Sequence, residues 1–352
     1  MSALGQEISL IKLEEKSKGA KVAKVIKVDD AVGEVLLHDI TGVIPEKGFK
    51  GRVFKKGHII KPEDVEVLKN LGKENIYVFE IGEDEMHEDE AAKLLSKAIA
   101  GENTQAGDSP KEGKIVIKSN AFGVCKIDVE RLFEFNSVGE PSCPTIYNNT
   151  VVKEGDKLGA VRIISLMAPK SDIEKALKIA DEGIIKVTPF TPKKAGLIIT
   201  GNEVYHGRIK DKFYDKLKPK LSEMLCEIEE KVILPDDKAQ IEEKIKEFSQ
   251  KFDLVILTGG TSVDPDDVTY KALRDAGVEN FIRGNPIQPG NMITMGWIKD
   301  TPVVAVPAAA IFFNWTAFDL WLPRFLIGEK ISKEETIARA HGGLLQSIKE
   351  IR

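Results

Sequence analysis

Continuous apolar runs alternate with amphipathic segments in the chain from Ala195 onward. The runs AGLIIT and DLVIL have no polar alternation, which is typical of buried parallel strands, and EEKVILP predicts a further strand between them. The segments between them have helical spacing. This rhythm predicts an α/β fold over residues 192–330, with a mostly parallel sheet in a three-layer α/β/α arrangement.

The pattern before this domain is different, with short β-like runs separated by turn signals and a few amphipathic helices. A stretch poor in large apolar side chains, GENTQAGDSPKEG, divides these runs and predicts a linker. The polar, charged start predicts a loosely held arm. The predicted segments are, in order, a flexible arm (1–20), an α+β region (21–100), the linker (101–113), a β-rich region (114–191), the three-layer domain (192–330) and a tail (331–352).

Composition and charge exclude several classes of protein. The net charge of −5 gives no basic footprint for nucleic acid. Cys125, Cys143 and Cys226 are widely separated and form no CxxC pair, so we expect reduced thiols and neither disulfides nor a zinc site. The N-terminus has no apolar signal segment, and the longest apolar run, 301–311, is too short to span a bilayer. We therefore expect a cytoplasmic protein with no membrane or nucleic-acid partner.

Three loops with unusual chemistry follow consecutive predicted strands. They are Thr200–Glu203, Pro235–Asp237 and Thr258–Thr269. Ligands of open α/β sheets bind beyond the carboxyl ends of the strands, where these loops would lie. The glycines at 259 and 260 would let backbone N–H groups approach a phosphate closely, and the hydroxyls at 261 and 262 would add donors. The sequence thus predicts a site for a phosphorylated small molecule.

Three carboxylates in these loops, Glu203, Asp236 and Asp267, would repel a phosphate. Their convergence on the site would imply a magnesium ion between them and the ligand. Each has a simpler alternative, since an aspartate in such a position can cap a helix. A Thr-Gly-Gly turn alone is also common. The conjunction of three such loops at one edge favours the ligand site.

The same residues resemble a known family. LIITGNE (197–203), LPDD (234–237) and LTGGTSVDPDDVT (257–269) are similar to the molybdopterin-binding domain, which molybdopterin adenylyltransferases, gephyrin, molybdopterin molybdotransferases and competence-damage-type amidases share. AVGEVLLHDIT (31–41) and the segment that follows it to NIYVF resemble the opening domain of the molybdotransferases.

The resemblance implies a transferase of molybdenum cofactor biosynthesis, which hydrolyses adenylylated molybdopterin and inserts molybdate with magnesium assistance. Glu203, Asp236 and Asp267 match the family's acidic positions, so the resemblance makes them catalytic and metal-binding. A homodimer is also implied, with a pterin phosphate as ligand and molybdenum enzymes as further partners. The cofactor-binding residues implied are Thr200, Gly201, Asn202, Gly259, Gly260, Thr261, Ser262, Pro289 and Gly290.

The chain departs from the family pattern at several places. The family's lysine-bearing Pro-Gly loop is Gln288-Pro289-Gly290-Asn291 here, without a lysine, and its Pro-Gly-Asn-Pro loop is Pro307–Ala310. The segment that supplies an aspartate from a neighbouring subunit and the C-terminal β-barrel are not found. These differences favour an alternative, a non-catalytic carrier that hands the cofactor to a molybdenum enzyme. An amidase acting on a pyridine nucleotide is a third candidate.

The apolar segment Ala309–Phe325 predicts a single helix with more apolar surface than one domain easily covers, which supports the homodimer. Its aromatic side chains favour core and interface positions over a stacking platform.

Overall fold

The computed structural model describes residues 24–44, 49–78, 84–260 and 268–345. The predicted arm, 1–20, lies outside the described residues. The chain divides into two compact units. The described residues of Met1–Asn120, with Lys126–Asn148 and Glu154–Val187, form the N-terminal unit; Ala121–Cys125, Asn149–Lys153 and the described residues of Thr188–Arg352 form the C-terminal unit.

The strands before residue 190 are short and pair into sheets of two to four strands. In chain order the elements are β1 (Lys24–Lys27), β2 (Ile40–Ile44), β3 (Phe49–Phe54), α1 (Pro62–Asn70), β4 (Asn75–Val78), β5 (Glu85–His87), α2 (Glu88–Ile99), β6 (Thr104–Ala106), β7 (Ile115–Ser119), β8 (Gly123–Ile127), α3 (Val129–Asn136), β9 (Pro141–Ser142), β10 (Thr150–Val152), β11 (Lys157–Ile163), β12 (Met167–Pro169), α4 (Lys170–Ala180) and β13 (Ile185–Pro189).

The segment predicted as a linker, 101–113, contains a strand. β6 pairs with β7 in antiparallel register, Gln105 opposite Lys118. A strand held by backbone hydrogen bonds needs no large apolar side chains, so its composition resembles that of a loop. On its other side β7 pairs with β11, against which α2 also packs.

The C-terminal unit is built on a six-stranded sheet of order β15-β14-β16-β19-β18-β17. β14, β15, β16 and β19 are parallel, and β18 runs antiparallel to both of its neighbours. The elements are β14 (Lys193–Thr200), α5 (Asn202–Tyr205), α6 (Phe213–Ser222), β15 (Cys226–Leu234), α7 (Lys238–Lys251), β16 (Leu254–Thr258), α8 (Thr269–Asp275), β17 (Glu279–Arg283), β18 (Thr294–Ile298), β19 (Thr301–Val306), α9 (Ala309–Phe312), α10 (Ala317–Leu326) and α11 (Lys333–Ala338).

This sheet is covered on both faces, as β14 shows. Its Leu197 and Ile199 belong to one buried cluster, with Trp321 of α10. Ile198, between them, belongs to a second cluster, with Phe248 of α7. Successive side chains of a strand point to opposite faces, so the two clusters lie on the two sides of the sheet. The predicted three-layer α/β/α fold with a mostly parallel sheet is confirmed. In the described part of the chain, no helix is both long and apolar enough to cross a membrane.

His87 gives the N-terminal unit a pH-sensitive contact. Its Nδ1 accepts a hydrogen bond from the backbone N–H of Asp89 (3.1 Å) at the start of α2 and lies 3.0 Å from Lys56 Nζ. Burial, and next the charge of Lys56, lower the pKa of His87. As the pH falls, the unfolded chain therefore binds more protons than the folded chain. The free energy of unfolding should decrease when the pH falls below about 6.5.

We expect His87→Asn to reduce this loss of stability at low pH. Asparagine still accepts the capping hydrogen bond but does not titrate in this range. Urea unfolding at pH 7.5 and pH 5.5 measures the effect. Burial also lowers the pKa of His38, so His38 contributes to the pH dependence in the same direction. An equal pH dependence in variant and wild type would contradict the assignment to His87.

Candidate functional site

The loops that the sequence singles out leave one edge of the C-terminal sheet. In the register of the parallel strands, Ile199 lies opposite Thr258, Thr200 opposite Leu234, and Thr258 opposite Val306. The carboxyl ends of β14, β15, β16 and β19 are therefore neighbours. The loops that begin at residues 201, 235, 259 and 307 leave the sheet side by side, where open α/β sheets bind their ligands.

Three buried threonines join the ends of β14 and β16 to the start of α8. Thr200 Oγ1 donates a hydrogen bond to the carbonyl oxygen of Thr258 (3.1 Å) and lies 3.0 Å from Thr269 Oγ1. Because the Thr200 hydroxyl proton is directed to Thr258, the Thr269 hydroxyl is the donor of the second bond. Thr200, a ligand contact that the resemblance implies, is buried here, and its hydrogen bonds fix the turn that follows β16.

That turn requires glycine at both of its positions. Gly259 has φ +90°, and a Cβ there would lie 2.1 Å from the carbonyl oxygen of Thr200. Gly260 has φ +55°, and its Cβ would lie 2.5 Å from Thr269 Oγ1. The backbone therefore runs directly against the threonine cluster in the left-handed region that favours glycine. Glycine-rich turns at the end of a strand are a common place for backbone N–H groups to bind an anion. Thr261 and Ser262 lie outside the described residues.

A reciprocal pair of hydrogen bonds connects the loops after β14 and β15. The backbone N–H of Asn202 donates to Asp236 Oδ2 (2.9 Å), and the backbone N–H of Asp236 donates to Asn202 Oδ1 (3.2 Å). The neighbouring residue, Asp237, caps α7 by accepting from the backbone N–H of Gln240 (3.0 Å). This hydrogen bond lowers the pKa of Asp237. The cap that the sequence allowed for Asp236 thus belongs to Asp237.

Glu203 lies in the first turn of α5, and its carboxylate folds back over Gly201. A Cβ at Gly201, which has φ +138°, would lie 2.7 Å from Glu203 Oε1. The side chain of Glu203 is exposed. The Glu203 carboxylate therefore lies at the ligand edge, and Glu203 directly follows Asn202 in the sequence.

The acidic residues fit a magnesium ion in their chemistry. Magnesium in nucleotide and phosphate sites is bound by one or two carboxylates, with the phosphate and water as further ligands. Glu203 and Asp236 supply carboxylates at one edge of the sheet, although Asp236 Oδ2 already accepts a hydrogen bond from the backbone N–H of Asn202. Within the described ranges no group of three His, Cys, Asp or Glu side chains is placed to hold a metal. Asp267 lies outside these ranges.

The Pro-Gly loop reaches the same edge through β18, whose first residue, Thr294, lies opposite Ala305 of β19. The carbonyl oxygen of Pro289 accepts from the backbone N–H of Ala317 (2.9 Å), and Gly290 has φ +99°. The residues after α11 pair with this loop, since the backbone N–H of Gln288 donates to the carbonyl oxygen of Gly343 (2.8 Å). A cavity of about 310 Å³ lies between them; its lining is Asn285, Pro286, Gln288, Asn291, Ala340, Gly343 and Leu344.

The predicted helix 309–325 is wrong as a single helix. It is divided into α9 and α10, because Thr316 and Asp319 form a capping box that starts a new helix. Phe318 and Trp321 of α10 are buried in the core of this unit. Residues 312–315, which begin with the last residue of α9, are exposed. Most of the apolar surface that supported a homodimer is therefore covered within the chain.

Two family models match parts of the chain. Residues 196–324 match the family model described as a probable molybdopterin binding domain. This match lies within the C-terminal unit and covers less than half of the chain. Residues 25–80 match a second family, described as a domain of unknown function.

Individual relatives are similar to parts of the chain. A molybdopterin molybdenumtransferase from Haemophilus influenzae is 28% identical over 152 residues, which are 41% of this chain and 37% of the relative. A molybdopterin biosynthesis protein from Methanocaldococcus jannaschii is 33% identical over 98 residues, 28% of this chain and 24% of the relative. The chain thus matches less than half the length of these relatives.

Among solved structures, the molybdopterin biosynthesis enzyme MoaB from Thermus thermophilus is 16% identical and covers 39% of this chain and 98% of its own length, with a TM-score of 0.33.

Proposed function

We propose that this chain acts in molybdenum cofactor biosynthesis by binding molybdopterin, or its adenylylated form, at the carboxyl edge of the C-terminal sheet. The observation that carries the proposal is the Gly259-Gly260 turn, pressed against the buried Thr200 and Thr269 within a molybdopterin-binding domain. The buried contacts hold this turn at the carboxyl end of β16, where its backbone N–H groups can bind a ligand phosphate.

The remaining site residues take their roles around this turn. The backbone N–H groups of Gly259 and Gly260, with the hydroxyls of Thr261 and Ser262, bind the phosphate. Asn202 holds Asp236 in place through their paired hydrogen bonds. The Pro-Gly loop (Gln288–Asn291), which contains Pro289 and Gly290, borders the ligand on the β18 side.

Glu203, Asp236 and Asp267 are the residues that would hold magnesium. When bound, magnesium would supply charge neutralisation at the pyrophosphate of the adenylylated ligand. In the catalytic form of the proposal, the chain is a molybdopterin molybdotransferase: it releases AMP and admits molybdate to the pterin dithiolene. On the resemblance alone, we also propose a cytoplasmic homodimer.

A non-catalytic carrier is the second candidate. Gln288 and Asn291 frame the Pro-Gly loop with neutral amides where the family has a lysine, and both line the 310 Å³ cavity. Ala308–Ala310 replace a second polar loop of the family. Without this cation the site stabilises less of the charge that develops on the phosphates during turnover, and the carrier would pass the bound cofactor to a molybdenum enzyme.

Incubation with adenylylated molybdopterin, magnesium and molybdate separates the two candidates. AMP release with formation of active cofactor identifies the enzyme, and stoichiometric binding without AMP release identifies the carrier. For the enzyme we expect Asp267→Asn to abolish magnesium-dependent AMP release while the melting temperature stays unchanged, since asparagine and aspartate cap helices about equally well. Failure to bind the ligand at all would contradict both candidates.

A further inference from the structure

The connection between β19 and α10 displays three aromatic side chains to solvent. Phe312 is 77% exposed, Phe313 43% and Trp315 47%. The other two tryptophans, Trp297 and Trp321, are each 1% exposed. Three large aromatic side chains within four residues form a concentrated apolar surface, and such surfaces mark binding sites more often than isolated exposed residues do.

Both ends of this connection are fixed at the ligand edge. It begins after Val306, which lies opposite Thr258, the residue before the Gly259-Gly260 turn. It ends at Ala317, whose backbone N–H donates to the carbonyl oxygen of Pro289 (2.9 Å). The aromatic segment, 312–315, therefore lies on a connection that runs from the proposed phosphate turn to the Pro-Gly loop.

The aromatic side chains are held outward by their surroundings. Lys220 Nζ donates to the carbonyl oxygen of Asn314 (2.8 Å), which fixes the middle of the segment. The core beneath is already filled, since Ala310, Ala317 and Phe318 are at most 1% exposed. In a close-packed interior there is no room for a further ring. The exposure of the segment is therefore built into the fold.

We propose that Phe312, Phe313 and Trp315 form a stacking platform for the planar heterocyclic ring of the phosphorylated ligand. The inference rests on the proposed function, in which the glycine turn binds the phosphate of the same molecule. Aromatic faces bind flat heterocycles by stacking without regard to charge. The segment Phe-Phe-Asn-Trp carries no ionisable group, so it suits a neutral ring next to a site for an anion. The ring is either a pterin or an adenine, both of which adenylylated molybdopterin contains.

The test compares three probes by isothermal titration calorimetry on the full chain. Neopterin carries the pterin ring without phosphate, AMP carries a purine and a phosphate, and ribose 5-phosphate carries the phosphate alone. Phe312→Leu and Trp315→Leu keep an apolar side chain and remove the stacking face. We expect each to weaken binding of the ring-bearing probe about 5- to 30-fold and to leave ribose 5-phosphate unchanged. If the leucine variants bind neopterin more weakly than the wild type does, the platform binds a pterin ring. If they bind AMP more weakly, it binds an adenine ring.

Leu225→Ala is the matched control. Leu225 is an exposed apolar residue before β15, at the opposite edge of the same sheet, and its loss should change no affinity. If ribose 5-phosphate or AMP binds but the leucine variants retain wild-type affinity for every ring-bearing probe, the stacking platform is overturned and the proposed function stands. If the variants change only the molecular mass in light scattering, the segment is a self-association surface and the proposal is likewise overturned. If neither these probes nor molybdopterin binds the wild-type chain, both proposals fall.

Discussion

Replacing Gly259 with alanine should abolish ligand binding and lower the free energy of unfolding by about 2–4 kcal/mol. The φ of +90° strains any residue with a Cβ, and the new Cβ would lie 2.1 Å from the carbonyl oxygen of Thr200. That oxygen belongs to the backbone at the end of β14, so only a shift of the strand or the turn can relieve the contact. Either shift moves the N–H groups proposed to bind phosphate. Urea denaturation and calorimetric titration measure the two effects.

Gly207 offers a matched control for this substitution. It also has a positive φ, +70°, but a Cβ there has no described heavy atom within 4 Å. Gly207→Ala should therefore cost only the backbone strain, about 1 kcal/mol, and leave ligand binding intact. Equal losses of stability in the two variants would show that the contact with Thr200 is unimportant.

Replacing Asp319 with alanine should cost about 3–5 kcal/mol of unfolding free energy. Asp319 Oδ2 accepts hydrogen bonds from the backbone N–H and the hydroxyl of Thr316, both 2.8 Å, at the start of α10. Oδ1 pairs with Lys220 Nζ at 2.5 Å, with only 10% and 19% of the two side chains exposed. The substitution removes the cap and leaves the largely buried ammonium of Lys220 without its counter-ion.

A double variant isolates the charge. Lys220→Met with Asp319→Asn removes both charges and keeps a capping oxygen, so it should recover more than half of the stability lost in Asp319→Ala. Thermal and urea unfolding measure all three proteins. A loss below about 1 kcal/mol in Asp319→Ala would mean that the pair behaves as a solvent-exposed contact.

In the C-terminal sheet the sequence predicted β14, β15, β16 and β19 and missed β17 and β18. AGLIIT and DLVIL are continuous apolar runs because helices cover both sides of β14 and β16. β17, at the sheet edge, has mostly exposed or half-exposed side chains, and its sequence, ENFIR, has no such run. β18 contains Gly296 in the middle of TMGWI. A weak pattern at an edge strand leaves little signal to read.

The division of the predicted helix 309–325 had a readable signal. Thr316 and Asp319 fit the capping-box spacing, which marks the start of a helix inside an apolar segment. The apolar pattern alone shows no break at Thr316, so it predicted one continuous helix. The Asn202–Asp236 pair had no such signal, since it joins loops 34 residues apart whose proximity only the strand register establishes. Local chemistry is therefore readable from the sequence, whereas partners across strands require the fold.

Binding of molybdopterin to the intact chain tests the central claim most directly. Molybdopterin released anaerobically from a molybdenum enzyme is titrated against the wild type, Gly207→Ala and Gly259→Ala, and bound pterin is quantified by its fluorescence after oxidation. The account predicts saturable binding of one molybdopterin per chain in the wild type and in Gly207→Ala, and none in Gly259→Ala. A wild-type chain that binds no molybdopterin, or a Gly259→Ala chain that binds it with wild-type affinity, would contradict the account.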